Sequence, residues 1–266
     1  MTNDEWSNLK FILRFESFME SYKLFIENAC NMKNLITLFL VIAAFGTVTA
    51  QSKSINTLTE KEKNEGWHLL FNGKNLAGWK TFQGRDITGW KVIDGVLNNS
   101  GVGSDHGGDI ITREKFQNFE LSVEWKIAPQ SNSGIFYHVN EKIGTAIYES
   151  GPEYQLLDDR GWPEKLHDDQ YSGANYGMHA PKNAVVKDLS EWNETRIVVD
   201  GTHVQHFLNG VKVVDYHLWD ADWKSRKEKG KWKDYPYYGM AKKGHIGLQD
   251  HGGLVQFRNM KIKVIK

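Results

Sequence analysis

The chain has 266 residues, 40% hydrophobic and 25% charged with only 5 prolines, which excludes a wholly disordered chain, a collagen-like repeat and a protein of many membrane spans. Lys plus Arg and Asp plus Glu balance at 33 each, so no net field draws in nucleic acid or an anionic membrane, and a neutral ligand is the expectation. Aromatic residues make up 12%, including 10 Trp and 10 Tyr, a content usual where rings pack on sugars or fill a β-sandwich.

In chain order, residues 1–31 read as an upstream extension, because Met32 and Lys33 open a second, more conventional start. An apolar run over residues 35–48 ends in Val48-Thr49-Ala50, small residues of the kind a signal peptidase reads. Residues 32–50 are therefore expected to be a signal peptide cleaved after Ala50, and the run is short for a membrane span of about 20 residues. Gln51 stands where a lipoprotein would need cysteine, so the product is expected free in the periplasm or secreted. Cys30 lies before the cleavage point, leaving no disulfide or thiolate chemistry afterwards.

Residues 51–65 are polar and read as a linker, and one domain is expected over 66–266. Strand patterns follow at Trp90–Leu97 with a turn at Asp94-Gly95, then Phe119–Ile127, Gly134–Val139, Glu153–Leu157, Thr195–Asp200, His203–Leu208, His245–Asp250 and Leu254–Ile265. Asp200-Gly201 and Asn209-Gly210 are turn dipeptides and make Thr195–Val214 an antiparallel meander. In Phe119–Ile127 the odd positions are apolar and the even ones Glu120, Ser122, Glu124 and Lys126, one dry face and one wet. Helical character is confined to a short excursion near 220–232, which reads as a lid or edge insertion. The fold class expected is all-β: a two-sheet antiparallel sandwich of jelly-roll type.

The same alternation selects candidate site residues. Glu153 and Gln155 share one face of their strand. With Ile246 and Leu248 facing the core, His245, Gln249 and His251 face away from it. Glu124, Glu153, Gln155, Gln249 and His251 together have the makings of a concave polar groove. Each also has a plainer reading, a solvated glutamate, a loop-tying glutamine or a turn histidine, and only the clustering favours a site. Asp158-Asp159 and Asp168-Asp169 flank Trp162 and His167; these carboxylates are of the type that chelates a divalent cation, against the plainer reading of a solvated loop. The chain has no zinc helix, phosphate loop or nucleophile elbow, and the glycines of 101–108 precede a strand rather than a helix.

The segments Leu70-Phe-Asn-Gly-Lys-Asn-Leu-Ala-Gly-Trp79, Asn132-Ser-Gly-Ile-Phe-Tyr137, Gly151-Pro-Glu-Tyr-Gln-Leu-Leu-Asp158, Glu191-Trp-Asn193 and Gly247-Leu-Gln-Asp-His-Gly252, with Phe257-Arg-Asn259, together resemble the 3-keto-disaccharide hydrolase family. The resemblance implies a concanavalin A-like sandwich acting on oxidised, 3-keto sugars. It implies removal of the carbon 2 proton and elimination of the carbon 1 substituent, with hydration of the resulting glucal in some members. On this basis Glu153 and His251 form the acid and base pair, while Glu124, Asn132, His138, Gln155, Trp162 and Gln249 meet the sugar. His138 stands where many family members carry arginine. A conventional glycosidase and a non-catalytic carbohydrate-binding module on the same sandwich are the competing readings.

Overall fold

A computed structural model describes residues 54–266 apart from 83, 85 and 100–107, together with residues 16, 19 and 20. The upstream extension and signal peptide read at 1–31 and 32–50 otherwise lie outside the described residues. Among the described residues no helix is long and apolar enough to cross a membrane. Lys53–Lys266 forms one compact unit.

That unit opens on helix α1 (Glu60–Asn64), started by a capping box in which the Thr59 side chain accepts from the Glu62 N–H and the Glu62 carboxylate accepts from the Thr59 N–H. Residues from Asn56 onward are not a detached linker. The backbone N–H of Asn56 donates to Asn259 Oδ1 at 2.6 Å, Asn259 N–H donates back to Asn56 Oδ1 at 2.8 Å, and Lys261 pairs with Glu62 at 2.6 Å.

The strands are β1 (Trp67–Leu69), β2 (Trp79–Thr81), β3 (Trp90–Ile93), β4 (Val96–Asn99), β5 (Ile110–Thr112), β6 (Phe119–Ile127), β7 (Asn132–Val139), β8 (Glu153–Leu157), β9 (Asn193–Asp200), β10 (His203–Leu208), β11 (Val211–His217), β12 (His245–Leu248) and β13 (Val255–Val264). They form an eight-stranded sheet in the order β11-β10-β9-β6-β13-β4-β3, with β1 also paired to β13, and a five-stranded sheet in the order β2-β5-β12-β7-β8. All pairings are antiparallel. The β3–β4 hairpin turns through Asp94 at φ 50° and Gly95 at φ 79°, the left-handed pair that a two-residue turn needs to match strand twist.

The core lies between the sheets. Phe119, Leu121, Val123, Trp125 and Ile127 of β6 face Ile135 and Tyr137 of β7, Tyr154 and Leu156 of β8, and Ile246 and Leu248 of β12 in one apolar cluster. Trp125 is fully buried because its one polar atom has a partner: Nε1 donates to Thr195 Oγ1 at 2.9 Å. The expected helical excursion is α2 (Ala221–Lys229), capped by Asp220 Oδ1 accepting from Trp223 N–H at 2.7 Å. Its sequel is anchored rather than loose. Trp223, Tyr238 and Trp232 stack in a column, with Tyr238 and Trp232 rings 4.2 Å apart, and all three belong to the core.

Candidate active site

The outward face of the five-stranded sheet carries a set of polar groups of which Glu153, Gln155 and Gln249 are buried. Pairing of Gly247 with Phe136 and of Phe136 with Glu153 sets one rung across β12, β7 and β8. On the next rung Gln249 N–H donates to the Gly134 carbonyl at 3.0 Å and Gly134 pairs with Gln155. Continuing the β5–β12 register from Ile110 opposite Leu248 puts Asp109 opposite Gln249. Alternation turns Asp109, Gln249 and Gln155 to the same side, and Asn132, two residues before Gly134, joins them. Gly134 is bare for a reason: a Cβ there would stand 2.3 Å from Glu153 Oε1 and 2.8 Å from the Phe136 ring. The missing side chain is the space that the Glu153 carboxyl occupies.

Burial decides the electrostatics. Glu153 is 4% exposed. Desolvation pushes its carboxyl up to about 8, with the Lys231 ammonium pulling downward and Asp109 adding to the rise. Glu153 therefore carries its proton at neutral pH. Asp109 is raised by burial to about 6, against hydrogen bonds from the backbone N–H groups of Asp250, at 3.0 Å, and Ile147; it is ionised at neutral pH. Gln155 Nε2 donates to Asn132 Oδ1 at 3.4 Å. The side-chain oxygens of Gln155 and Gln249 are buried and accept no hydrogen bond. An unpaired buried acceptor costs about 1–3 kcal/mol, so both await a donor.

Aromatic residues wall the cluster. Tyr176 N–H donates to the Glu153 carbonyl at 3.1 Å, Trp232 Nε1 donates to the Tyr176 carbonyl at 2.9 Å, and the exposed Lys231 ammonium lies 4.2 Å above the Tyr176 ring. On another side Tyr148 meets Tyr235 edge-on at 5.9 Å, and its phenol is raised by burial, by Tyr235 and by the Glu149 and Asp109 charges. Gly239 N–H closes the wall on the Ser150 carbonyl at 2.9 Å.

Of the residues selected from sequence, Glu153, Gln155, Gln249 and Asn132 come together here. Glu124 does not. It is on the outer face of the other sheet, where Arg258 Nε donates to it at 2.7 Å and Asn259 Nδ2 at 2.8 Å. His138 points to the core, 6.0 Å edge-on from Phe119, with Nε2 bonded to the Gln117 carbonyl at 2.8 Å and its imidazole pKa lowered by burial. A bulge explains this. Two residues of β7, Tyr137 and His138, lie between the partners of Gly247 and His245 while β12 spends only Ile246, and His138 takes φ 54°.

His251 is exposed beyond the end of β12, before the turn at Gly252-Gly253. Trp162 is half-buried on the β8–β9 connection, where its N–H donates to the Asp158 carbonyl at 3.0 Å. Of the suggested cation ligands, Asp158 accepts from the N–H groups of Gln130 and Gly161 and Asp159 from Ser172, while Asp168 and Asp169 open the single 3-10 turn Asp168–Gln170. No group of three or more His, Cys, Asp or Glu among the described residues is arranged to hold a metal ion. Sequence reasoning passed over Asp109, on a three-residue strand edge behind a glycine run, and Lys231, in a stretch read only as an insertion.

Residues 66–263 match the model of the 3-keto-alpha-glucoside-1,2-lyase-like domain. A 3-keto-disaccharide hydrolase of Bacteroides thetaiotaomicron is 36% identical over 231 residues, which is 76% of this chain and 79% of that protein. Among solved structures, a candidate glycosyl hydrolase of Parabacteroides distasonis is 43% identical with a TM-score of 0.75, covering 80% of this chain and all of that one. A second from the same organism is 29% identical with a TM-score of 0.58, over 75% of this chain and 99% of its own.

Proposed function

Because the chain belongs to the 3-keto-α-glucoside-1,2-lyase-like family, we propose that it cleaves the glycosidic bond of sugars already oxidised to a ketone at carbon 3, with Glu153 at the reacting centre. The observation that carries the reading is the rung holding Gln155 and Gln249, whose buried oxygens lack donors, beside the buried acid of Glu153. Sugar hydroxyls are the donors that such acceptors take, and Asn132 stands next in line. The B. thetaiotaomicron relative bears the name of this activity, and the aromatic walls suit the apolar faces of a pyranose.

The chemistry fits the residue types. A carbonyl at carbon 3 acidifies the hydrogen on carbon 2. Loss of that proton leaves an enediolate, and its collapse expels the carbon 1 substituent without an oxocarbenium ion. A carboxyl group held neutral at pH 7 is suited to give a proton to an oxygen where negative charge develops. Glu153 therefore serves as the acid. His251, at the exposed rim, is free to meet the leaving group rather than the buried ring. The test is incubation of the purified chain with a 3-keto-glucoside and with its unoxidised parent. Release of the aglycone from the keto sugar alone is expected, and equal release from both would favour conventional hydrolysis.

A further inference from the structure

We propose that Asp109 is the second catalytic carboxylate, taking the proton from carbon 2 on one side of the sugar while Glu153 gives its proton on the other. The proposal rests on the reading that this chain cleaves 3-keto-glycosides, and adds to it the identity of the base.

The geometry singles Asp109 out. It immediately precedes β5 and Glu153 opens β8, with β12 and β7 between them. Three strand spacings across the sheet and a two-residue step along it separate their backbones by roughly 16 Å, and both residues belong to the outward face, the Glu153 carboxyl lying over Gly134. The ground between them is Gln249 and Gly134, a side-chain amide and a bare glycine. Asp109 acts on Glu153 through its charge and not through a hydrogen bond. The N–H groups of Asp250 and Ile147 hold the Asp109 carboxylate in place.

Three other acids near this face are engaged elsewhere. Glu149 accepts from the N–H groups of Thr145 and Ala146, Glu141 pairs with Lys80 and Lys115, and Asp158 caps its own loop. His245 Nδ1 is bonded to the Thr112 carbonyl at 2.6 Å and lies beyond the Glu153 rung, opposite Val139.

The step balances. The Asp109 carboxylate takes the carbon 2 proton, and the C–H electron pair becomes the double bond between carbons 2 and 3 as the ketone oxygen gains negative charge. When the enediolate collapses, the bond from carbon 1 to the glycosidic oxygen breaks, and that oxygen leaves as an alcohol with the proton from Glu153. The sugar product is the 3-keto-2-hydroxyglucal. Asp109 is now protonated and Glu153 ionised, so the pair is set for the reverse traffic. Glu153 takes a proton from water as its oxygen adds to carbon 1, and Asp109 returns a proton to carbon 2. One pair of carboxyls thus accounts for elimination and hydration and ends in its starting state.

Charged and titratable groups facing Asp109 are Asp250 and Tyr148, and those facing Glu153 are Lys231, Asp109 and Tyr238. An ionised Asp109 and a protonated Glu153 coexist between about 6 and about 8, which sets the two limbs of the rate profile.

The test uses the full chain and a 3-keto-glucoside, reading aglycone release against pH and exchange of the carbon 2 hydrogen in heavy water. Asp109→Asn is expected to lower turnover by about a hundredfold or more, lose the acid limb and stop carbon 2 exchange. Glu153→Gln is expected to lose the alkaline limb instead. Should Asp109→Asn melt early, Asp109→Ala with added formate replaces it, and recovery of exchange with formate supports the role. Asp109→Asn turning over within about threefold of the parent, with its acid limb intact, would overturn the proposal while leaving 3-keto-glycoside cleavage standing. A parent chain that releases nothing from the keto sugar overturns both.

Discussion

Burial of Glu153 ties the stability of the domain to pH in a direction opposite to that of a salt-bridged carboxylate. A carboxyl whose value is higher folded than unfolded holds its proton more tightly in the native state. Stability then falls as pH rises, beginning near the unfolded value of 4.5 and complete above the folded value of about 8. Each tenfold displacement of a protonation equilibrium is worth 1.36 kcal/mol, so ionising Glu153 in place costs about 5 kcal/mol, an upper figure once water enters the relaxed site. Glu153→Gln keeps the shape over Gly134 and has nothing to ionise. Urea denaturation of both proteins at pH 5, 7 and 9 is the assay. The two should be similar at pH 5, and the variant should gain on the parent by several kcal/mol at pH 9. For a domain of this size that is about 10–20 °C in melting temperature. Asp109 is present in both proteins and largely cancels. Parallel stability curves across this range would mean that Glu153 is hydrated or ionised when folded, and the acid role would fall with it.

Gly134→Ala puts a methyl group 2.3 Å from Glu153 Oε1 and against the rigid Phe136 ring; turnover should fall at least about tenfold, with a loss of about 1–3 kcal/mol in urea melts. Trp125→Ala should cost about 3–5 kcal/mol because it empties a fully buried aromatic site. Glu124→Gln, on the far face, should cost about 1 kcal/mol or less and leave turnover within about twofold of the parent; a large loss of activity would return that residue to the site. Protein exported by the native host should begin at Gln51, as N-terminal sequencing would reveal, and residues 1–31 in the exported product would refute the leader assignment.

The parts of the fold that were legible in sequence are those where one strand face is wet. Phe119–Ile127 declares itself because Glu120, Glu124 and Lys126 alternate with apolar residues. Strands β1, β2 and β5 have three residues each, too few for any period to register, and Asp109 is beside the last of them. Alternation found Glu153, Gln155 and Gln249, since a glutamate or glutamine inside a short apolar strand is conspicuous. It cannot say which of two sheets a wet face belongs to, and so it gathered Glu124 from the opposite side of the sandwich. It also assumes an unbroken ladder. The β7 bulge turned His138 inward, and the end of β12 at Leu248 left His251 without a strand to orient it.

The strand order carries a kinetic meaning. Neighbouring β12 in its sheet are β5 and β7, while β13 binds β6 on one side and β4 and β1 on the other. An interior strand of each sheet is thus drawn from residues 245–264, which follow all the other strands in chain order. Until they emerge, β5 and β7 have no strand between them, and β4 and β6 end in unpaired edges. Synthesis at about 5–20 residues per second holds such edges open for several seconds or more. Closure must then join segments distant in sequence, a slow topology by contact order. A chain halted before His245 should be a substrate for chaperones and proteases, whereas one that includes β12 and β13 closes both sheets.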